Sequence, residues 1–215
     1  MDRQVQNLFM LVGMPTPPKT VKGRATRERI VSVAADLVRA NGVRATSVED
    51  VIDAAGVSKS QLYHYFDDKA DLVRAVVDRT KAVLIDLQQA YLERLDDWAG
   101  ISAWFDAIVA DETGRHSRGG CPLGSLVPEL ADSDELARTV LARAFDEWQN
   151  HLTEGLRRMQ ARGRLSAGAD PERLATATMA SLQGGLLLSQ VRRDPGQLRA
   201  ALDAALAYLR QHRPR

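Results

Sequence analysis

The sequence predicts an all-α protein of about nine helices, a short head followed by a longer body. Three observations predict it. Apolar residues recur at three- and four-residue spacing in segment after segment of the 215 residues. Helix-start signatures recur at Ser47, Ser58, Asp170-Pro171 and Asp194-Pro195. No segment sustains the apolar–polar alternation of a strand.

Residues 1–22 read as a disordered arm, because Pro15, Pro17 and Pro18 forbid a helix there. Met14 is a candidate alternative start. Lys19, Lys22 and Arg24 make this arm basic. The first helix is expected over Arg24–Ala40, with Thr26 as its cap, Ile30, Val33, Ala34, Leu37 and Val38 on one face, and Gly42 as its stop. Two short helices follow. Ser47 caps the first, with Asp50 three residues on, and Val48, Val51, Ile52 and Ala55 form its apolar face. Gly56 supplies the left-handed turn and Val57 plugs it. Ser58 then opens a Ser-x-x-Gln capping box with Gln61. Leu62 and Phe66 face inward on this second helix. Lys59, Ser60, Gln61, Tyr63 and His64 lie on or near its other side. A helix that begins with polar and basic groups and exposes aromatic hydroxyl and imidazole groups suits a DNA groove.

A long helix is expected from Asp68 to about Leu95, with Leu72, Val76, Val83, Leu84, Leu87, Tyr91 and Leu95 as its stripe. The next spans Trp98 to about Thr113. Arg115–Gly120 is a loop. Cys121-Pro122-Leu123-Gly124 opens a short helix ending near Ala131. Longer helices are expected over Asp134–Arg162, Asp170–Arg193 and from Asp194-Pro195 to about Gln211.

The helix ending in Gly42, Ala45-Thr46-Ser47-Val48, Ala54-Ala55-Gly56-Val57-Ser58, Leu62-Tyr63-His64-Tyr65-Phe66 and Lys69-Ala70-Asp71-Leu72 together resemble the tetracycline-repressor (TetR) family of bacterial regulators. The resemblance rests on residues 26–79. It implies a helix-turn-helix DNA-binding domain over residues 23–67 and a ligand-binding and dimerisation domain over 68–215. It implies a homodimer, paired through the last two helices, on a palindromic double-stranded operator. It also implies repression relieved by a small-molecule effector. Carried over by position, Ser47 and Lys69 touch phosphates. Lys59, Ser60 and Gln61 read base edges, Tyr63 meets a phosphate or a thymine methyl, and His64 meets a phosphate. The family implies a cavity among the middle helices, for which Trp104, Phe105, Ile108, Leu123, Phe145, Trp148, Met179 and Gln183 are candidate walls. Such walls suit a small, largely apolar molecule.

Charge agrees with this division. Residues 19–81 hold 12 Lys+Arg against 9 Asp+Glu, and residues 82–215 hold 16 against 18. A basic head on a slightly acidic body suits phosphate contact by the head alone. The single cysteine permits no disulfide within the chain and fits a cytoplasmic location. No apolar run is long enough to span a membrane, so no membrane partner is expected.

Cys121 carries an alternative reading. At a helix start, near Arg115, His116 and Arg118, its thiol is expected to be acidic, as in an oxidant- or electrophile-sensing repressor. The other alternative is a helical small-molecule-binding protein or enzyme that ignores DNA. The chain carries no Walker loop, dinucleotide fingerprint, zinc-protease helix or nucleophile elbow. No enzyme activity, cofactor or metal site is therefore expected.

Overall fold

The computed structural model describes residues 20–214. Among them are nine α-helices and no strand: α1 (Val21–Asn41), α2 (Val48–Ala55), α3 (Lys59–Tyr65), α4 (Lys69–Leu92), α5 (Trp98–Gly114), α6 (Val127–Leu130), α7 (Glu135–Ala161), α8 (Pro171–Arg192) and α9 (Gly196–Arg210). A 3-10 turn, Gly124–Leu126, leads into α6. The expected arm falls largely outside the described residues. Its last residues do not form an arm, because α1 begins at Val21 and takes in Lys22 and Arg24. Thr20 is the cap and accepts the Gly23 N–H at 3.0 Å. Thr26 lies inside the helix, with its hydroxyl donating to the Lys22 carbonyl.

Helices α1, α2 and α3 form the head. Ile30, Val31, Ala34 and Val38 of α1 are buried with Val51 and Ala55 of α2, and with Leu62 and Phe66 at the end of α3. Arg27 lays its guanidinium 5.0 Å from the Phe66 ring centre and closes that edge. Helix α4 is shared. Its first half buries Leu72, Val73, Val76 and Val77 along α1, and its far end turns Leu92 into the body. The expected α4 stripe is only partly the buried one. Val83, Leu87 and Tyr91 are exposed, at 44, 75 and 39%. They lie on the side away from α7 and α5. That side continues the one that Leu72 and Val76 bury against the head, whereas the body meets the side that carries Lys81, Gln88 and Leu92.

In the body, α7 packs along α4 and α8, and α8 packs along α9. Caps set the starts: Asp97 for α5, Asp134 for α7 and Asp170 for α8, with Pro171 in the first turn. Two glycines of the body mark close approaches of another segment. A Cβ on Gly155 of α7 would come within 2.3 Å of the Leu95 carbonyl oxygen. One on Gly185 of α8 would come within 2.9 Å of the Leu198 side chain on α9. No helix among the described residues is long and apolar enough to cross a membrane.

Candidate nucleic-acid interface

The α2–α3 hairpin is built by its caps. Ser47 Oγ accepts the Asp50 N–H at 3.1 Å, and Asp50 returns a carboxylate oxygen to the Ser47 N–H at 2.8 Å. The hydroxyl and amide of Ser47 hold the Asp50 carboxyl below the usual carboxylate range. Gly56 adopts φ +60° and ψ +45°, the left-handed turn that ends α2. Ser58 and Gln61 repeat the box at the start of α3: the Ser58 N–H reaches Gln61 Oε1 at 2.9 Å, and the Gln61 N–H reaches Ser58 Oγ at 3.2 Å. Helix α3 ends at Tyr65, and Phe66 turns in with 1% exposure.

This construction leaves Lys59, Ser60, Gln61, Tyr63 and His64 exposed along α3, while Leu62 is fully buried. Tyr65 is half-buried, its ring 4.9 Å from that of His64. Some of the exposed groups already have partners. Lys59 Nζ lies 3.7 Å from Glu49 on α2, both side chains being about two-thirds exposed. Ser60 Oγ is 3.1 Å from Ser58 Oγ. Gln61 commits its oxygen to the cap, so its exposed Nε2 remains to donate. That group can meet guanine O6 or N7, adenine N7 or thymine O4.

Ser47 is exposed at the start of α2. Lys69 is placed less simply. It is half-buried and its Nζ donates to the Val43 carbonyl at 2.9 Å, so its head group faces the turn after α1. With three protons on the ammonium, that bond leaves two for a phosphate. Sequence reasoning passed over Arg44. It is an exposed residue between this turn and Ser47, and it carries no ion pair among the described residues. A lone Arg in a connector gives no periodic signal, but its place just before a helix N-terminus is the one cue the sequence offers.

The expected ligand walls lie in the body's interior. Trp104, Phe105 and Leu123 are fully buried, Trp148 and Met179 nearly so, and Ile108, Phe145 and Gln183 are half-buried. Trp104 donates its indole N–H to Gln88 on α4 at 2.7 Å. Two donors here are buried without a partner, Trp148 Nε1 on α7 and Gln183 Nε2 on α8. None of these residues lines either of the best-formed pockets among the described residues. One is a small apolar nook of about 10 Å³ between α1, α2 and α4. The other is an open groove of about 450 Å³ beside Leu92, Glu147, His151 and Arg158.

Cys121 is not the acidic thiol expected. Its carbonyl accepts the Ser125 N–H at 2.9 Å, so Cys121 stands at the entry to the helical turns that begin at Gly124. The side chain is buried, and burial pushes the thiol up, outweighing the hydrogen bonds from the Gly124 and Leu123 amides. His116 and Ser117 turn through left-handed backbone, with φ of 53° and 51°. Arg115 is engaged with Asp111, Glu112 and the Arg118 and Gly120 carbonyls. Among the described residues, no cluster of three or more His, Cys, Asp or Glu side chains is placed to hold a metal ion.

Comparison with known proteins bears on both halves. Residues 30–76 match the family of bacterial regulatory proteins described as the tetR family, and residues 98–207 match the tetracyclin repressor-like C-terminal domain. An uncharacterised HTH-type transcriptional regulator of Lactococcus lactis is 32% identical over 182 residues, covering 84% of this chain and 91% of its own length. The transcriptional regulator AcuR of Cereibacter sphaeroides is 30% identical over 200 residues, covering 85% and 88%. The crystal structure of a regulatory protein TetR from Rhodobacter sphaeroides superposes with a TM-score of 0.71 at 25% identity, over 85% of this chain and 98% of that one. A TetR-family regulator from Cytophaga hutchinsonii superposes with a TM-score of 0.80 over 92% and 100%, at 18% identity, which bears on the fold alone.

Proposed function

The chain belongs to the TetR family of DNA-binding, helix-turn-helix transcriptional regulators, and from that premise we propose that it is a repressor that binds a palindromic operator as a homodimer and is released by a small, largely apolar effector. The observation that carries this reading is the capped α3, which exposes Lys59, Ser60, Gln61, Tyr63 and His64 on one side and anchors Leu62 and Phe66 on the other. Lys59, Ser60 and the Gln61 amide meet base edges, and Tyr63 and His64 meet the backbone beside them. Ser47, Arg44 and the outer side of Lys69 hold phosphates.

Two heads need a pairing surface. Helix α8 exposes Ala180, Gly184, Leu187, Leu188 and Val191, and α9 exposes Ala200, Ala204 and Ala207. Both sets keep helical spacing, and Leu187 and Val191 are 61 and 74% exposed. Such an apolar face on two adjacent helices suits a second copy of the same face. Paired there, two heads meet successive major grooves about 34–36 Å apart, or a multiple of this.

The effector reading draws on the body's chemistry. An apolar molecule bearing a hydrogen-bond acceptor would satisfy Trp148 Nε1 or Gln183 Nε2 while covering the aromatic walls. Its binding would favour a state in which α5–α8 displace α4 and the head spacing is lost. The thiol-switched alternative keeps no chemical support from an acidic Cys121.

The test is selection of genomic DNA fragments by the full chain at near-physiological salt. Enrichment of one short palindrome, bound by a dimer that Leu187→Glu disrupts, is the expected result. A folded chain that enriches no sequence contradicts the reading.

A further inference from the structure

We propose that Glu129 is a positioning residue that fixes the DNA-reading head on the body, and through which any displacement of Gly124–Leu130 reaches the operator. The inference rests on the operator-binding reading and adds to it a residue that touches no DNA.

Glu129 sits on α6, a single helical turn held down by the buried Leu126 and Leu130 on either side of it. Its half-buried carboxylate spans from the body to the turn that follows α1. Oε1 accepts the Val43 N–H at 3.0 Å, and Oε2 accepts the Arg44 N–H at 2.8 Å. Both oxygens are therefore engaged by consecutive amides of the head. The backbone is shaped for this contact. Gly42 has φ +86°, and a Cβ there would lie 2.9 Å from Glu129 Oε1. From the other side, Lys69 Nζ donates to the Val43 carbonyl at 2.9 Å. Val43 is thus gripped by an anion from the body at its N–H and by a cation from the first residue of α4 at its carbonyl. Hydrogen bonds to charged groups are the stronger kind, and the Val43 amide, in a residue 7% exposed, has little access to water if the carboxylate leaves.

The gripped turn leads directly to Arg44 and Ser47. Its orientation decides where that guanidinium and the start of α2 meet the phosphates. At its other end, the segment carrying Glu129 begins beside Gln183 of α8. An ideal Cβ on Gly124 would lie 3.1 Å from Gln183 Oε1, and the Ser125 N–H donates to the Cys121 carbonyl. Movement of Gln183 against Gly124 has five residues to travel before it reaches the carboxylate. Helix α4 is the covalent link between head and body, and Glu129 is a second attachment made through hydrogen bonds, which can be released without breaking the fold.

The experiment uses the full chain, the operator obtained by fragment selection, and the variants Glu129→Ala and Glu129→Gln. Amide hydrogen exchange and operator affinity are measured on each. In Glu129→Ala, exchange at Val43 and Arg44 should quicken by about tenfold or more while the capped amides of Asp50 and Gln61 keep their protection. Operator affinity should fall on the order of tenfold. The slope of log affinity against log salt should become shallower by no more than about one phosphate contact, the one that the turn sets through Arg44. Glu129→Gln, which keeps one acceptor, should recover part of both effects. Unchanged exchange at Val43 and Arg44, or an unchanged operator affinity in Glu129→Ala, overturns the proposal and leaves the operator reading standing. A wild-type chain that selects no DNA sequence refutes the operator reading and this proposal with it.

Discussion

Helices α2 and α3 run for 8 and 7 residues, whereas α7 and α8 run for 27 and 22. Helices as short as the first pair do not persist alone in water. They are held by reciprocal caps at Ser47–Asp50 and Ser58–Gln61, by a left-handed glycine between them, and by a few buried side chains. The long pair is held mainly by burial. Leu152, Leu156, Met159, Leu174 and Leu182 are at most 1% exposed, and close approaches occur at Gly155 and Gly185. The difference teaches where function can be placed. A hairpin stabilised by its backbone ends is free to present a polar outer face, while a body stabilised by burial must satisfy its polar groups inside, as Trp104 does with Gln88 and Thr178 with the Leu174 carbonyl.

If burial carries the body, Trp104→Ala should have the largest effect of any substitution considered. It removes a fully buried indole and its bond to Gln88, and should cost about 3–5 kcal/mol by chemical denaturation at fixed protein concentration. The two glycines Gly155 and Gly56 sharpen the contrast. Gly155→Ala pushes a methyl group into the Leu95 backbone and should cost about 1–3 kcal/mol or more. Gly56→Ala meets nothing within 4 Å and should cost only the left-handed backbone, about 1–2 kcal/mol. A cost at Gly56 equal to or larger than that at Gly155 would break the distinction between packing and conformation.

Ser58→Ala should follow, at about 1 kcal/mol, because it leaves the Gln61 amide without its cap. The smallest expected effect is on acid stability. Asp50 has a lowered folded-state value, so its contribution is present above the ordinary 3.8 and is lost as the pH falls through the lowered one. Glu112 is the opposite case. Burial raises its value despite Arg115, so the body gains stability as the pH falls through that raised value toward 4.5. The denaturation midpoint followed against pH should therefore show a smaller acid-side fall in Asp50→Asn and a smaller rise toward 4.5 in Glu112→Gln, because Asp96 and Asp194 share the first direction and Asp71 and Asp78 the second.

The same physics explains what the sequence made legible. Both capping boxes and the Gly56 turn are local patterns, each within four residues, and the structure contains them as expected. The start of α1 was misread because Thr20 caps an amide at Gly23 with no acidic residue in the first turn, close behind three prolines. Cys121 was misread because its burial, which nothing in its sequence neighbours signals, outweighs the amides at the start of the helical turns and governs the thiol. Glu129 could not be read at all. Its partners are 86 and 85 residues away, and a carboxylate on a four-residue helix carries no sign of which amides it meets. The Gly155–Leu95 approach is illegible for the same reason.

The central claim is that the outer face of α3 serves DNA and contributes little to the fold. The most direct measurement takes the double variant Lys59→Ala/Tyr63→Ala and follows operator affinity and chemical denaturation on the same preparation. Lys59 has only an exposed ion pair with Glu49 to lose, and the Tyr63 side chain is 44% exposed, so stability should change by less than about 1 kcal/mol. Operator affinity should fall by more than about tenfold. Unchanged operator affinity, with a denaturation midpoint that drops sharply, would contradict the account.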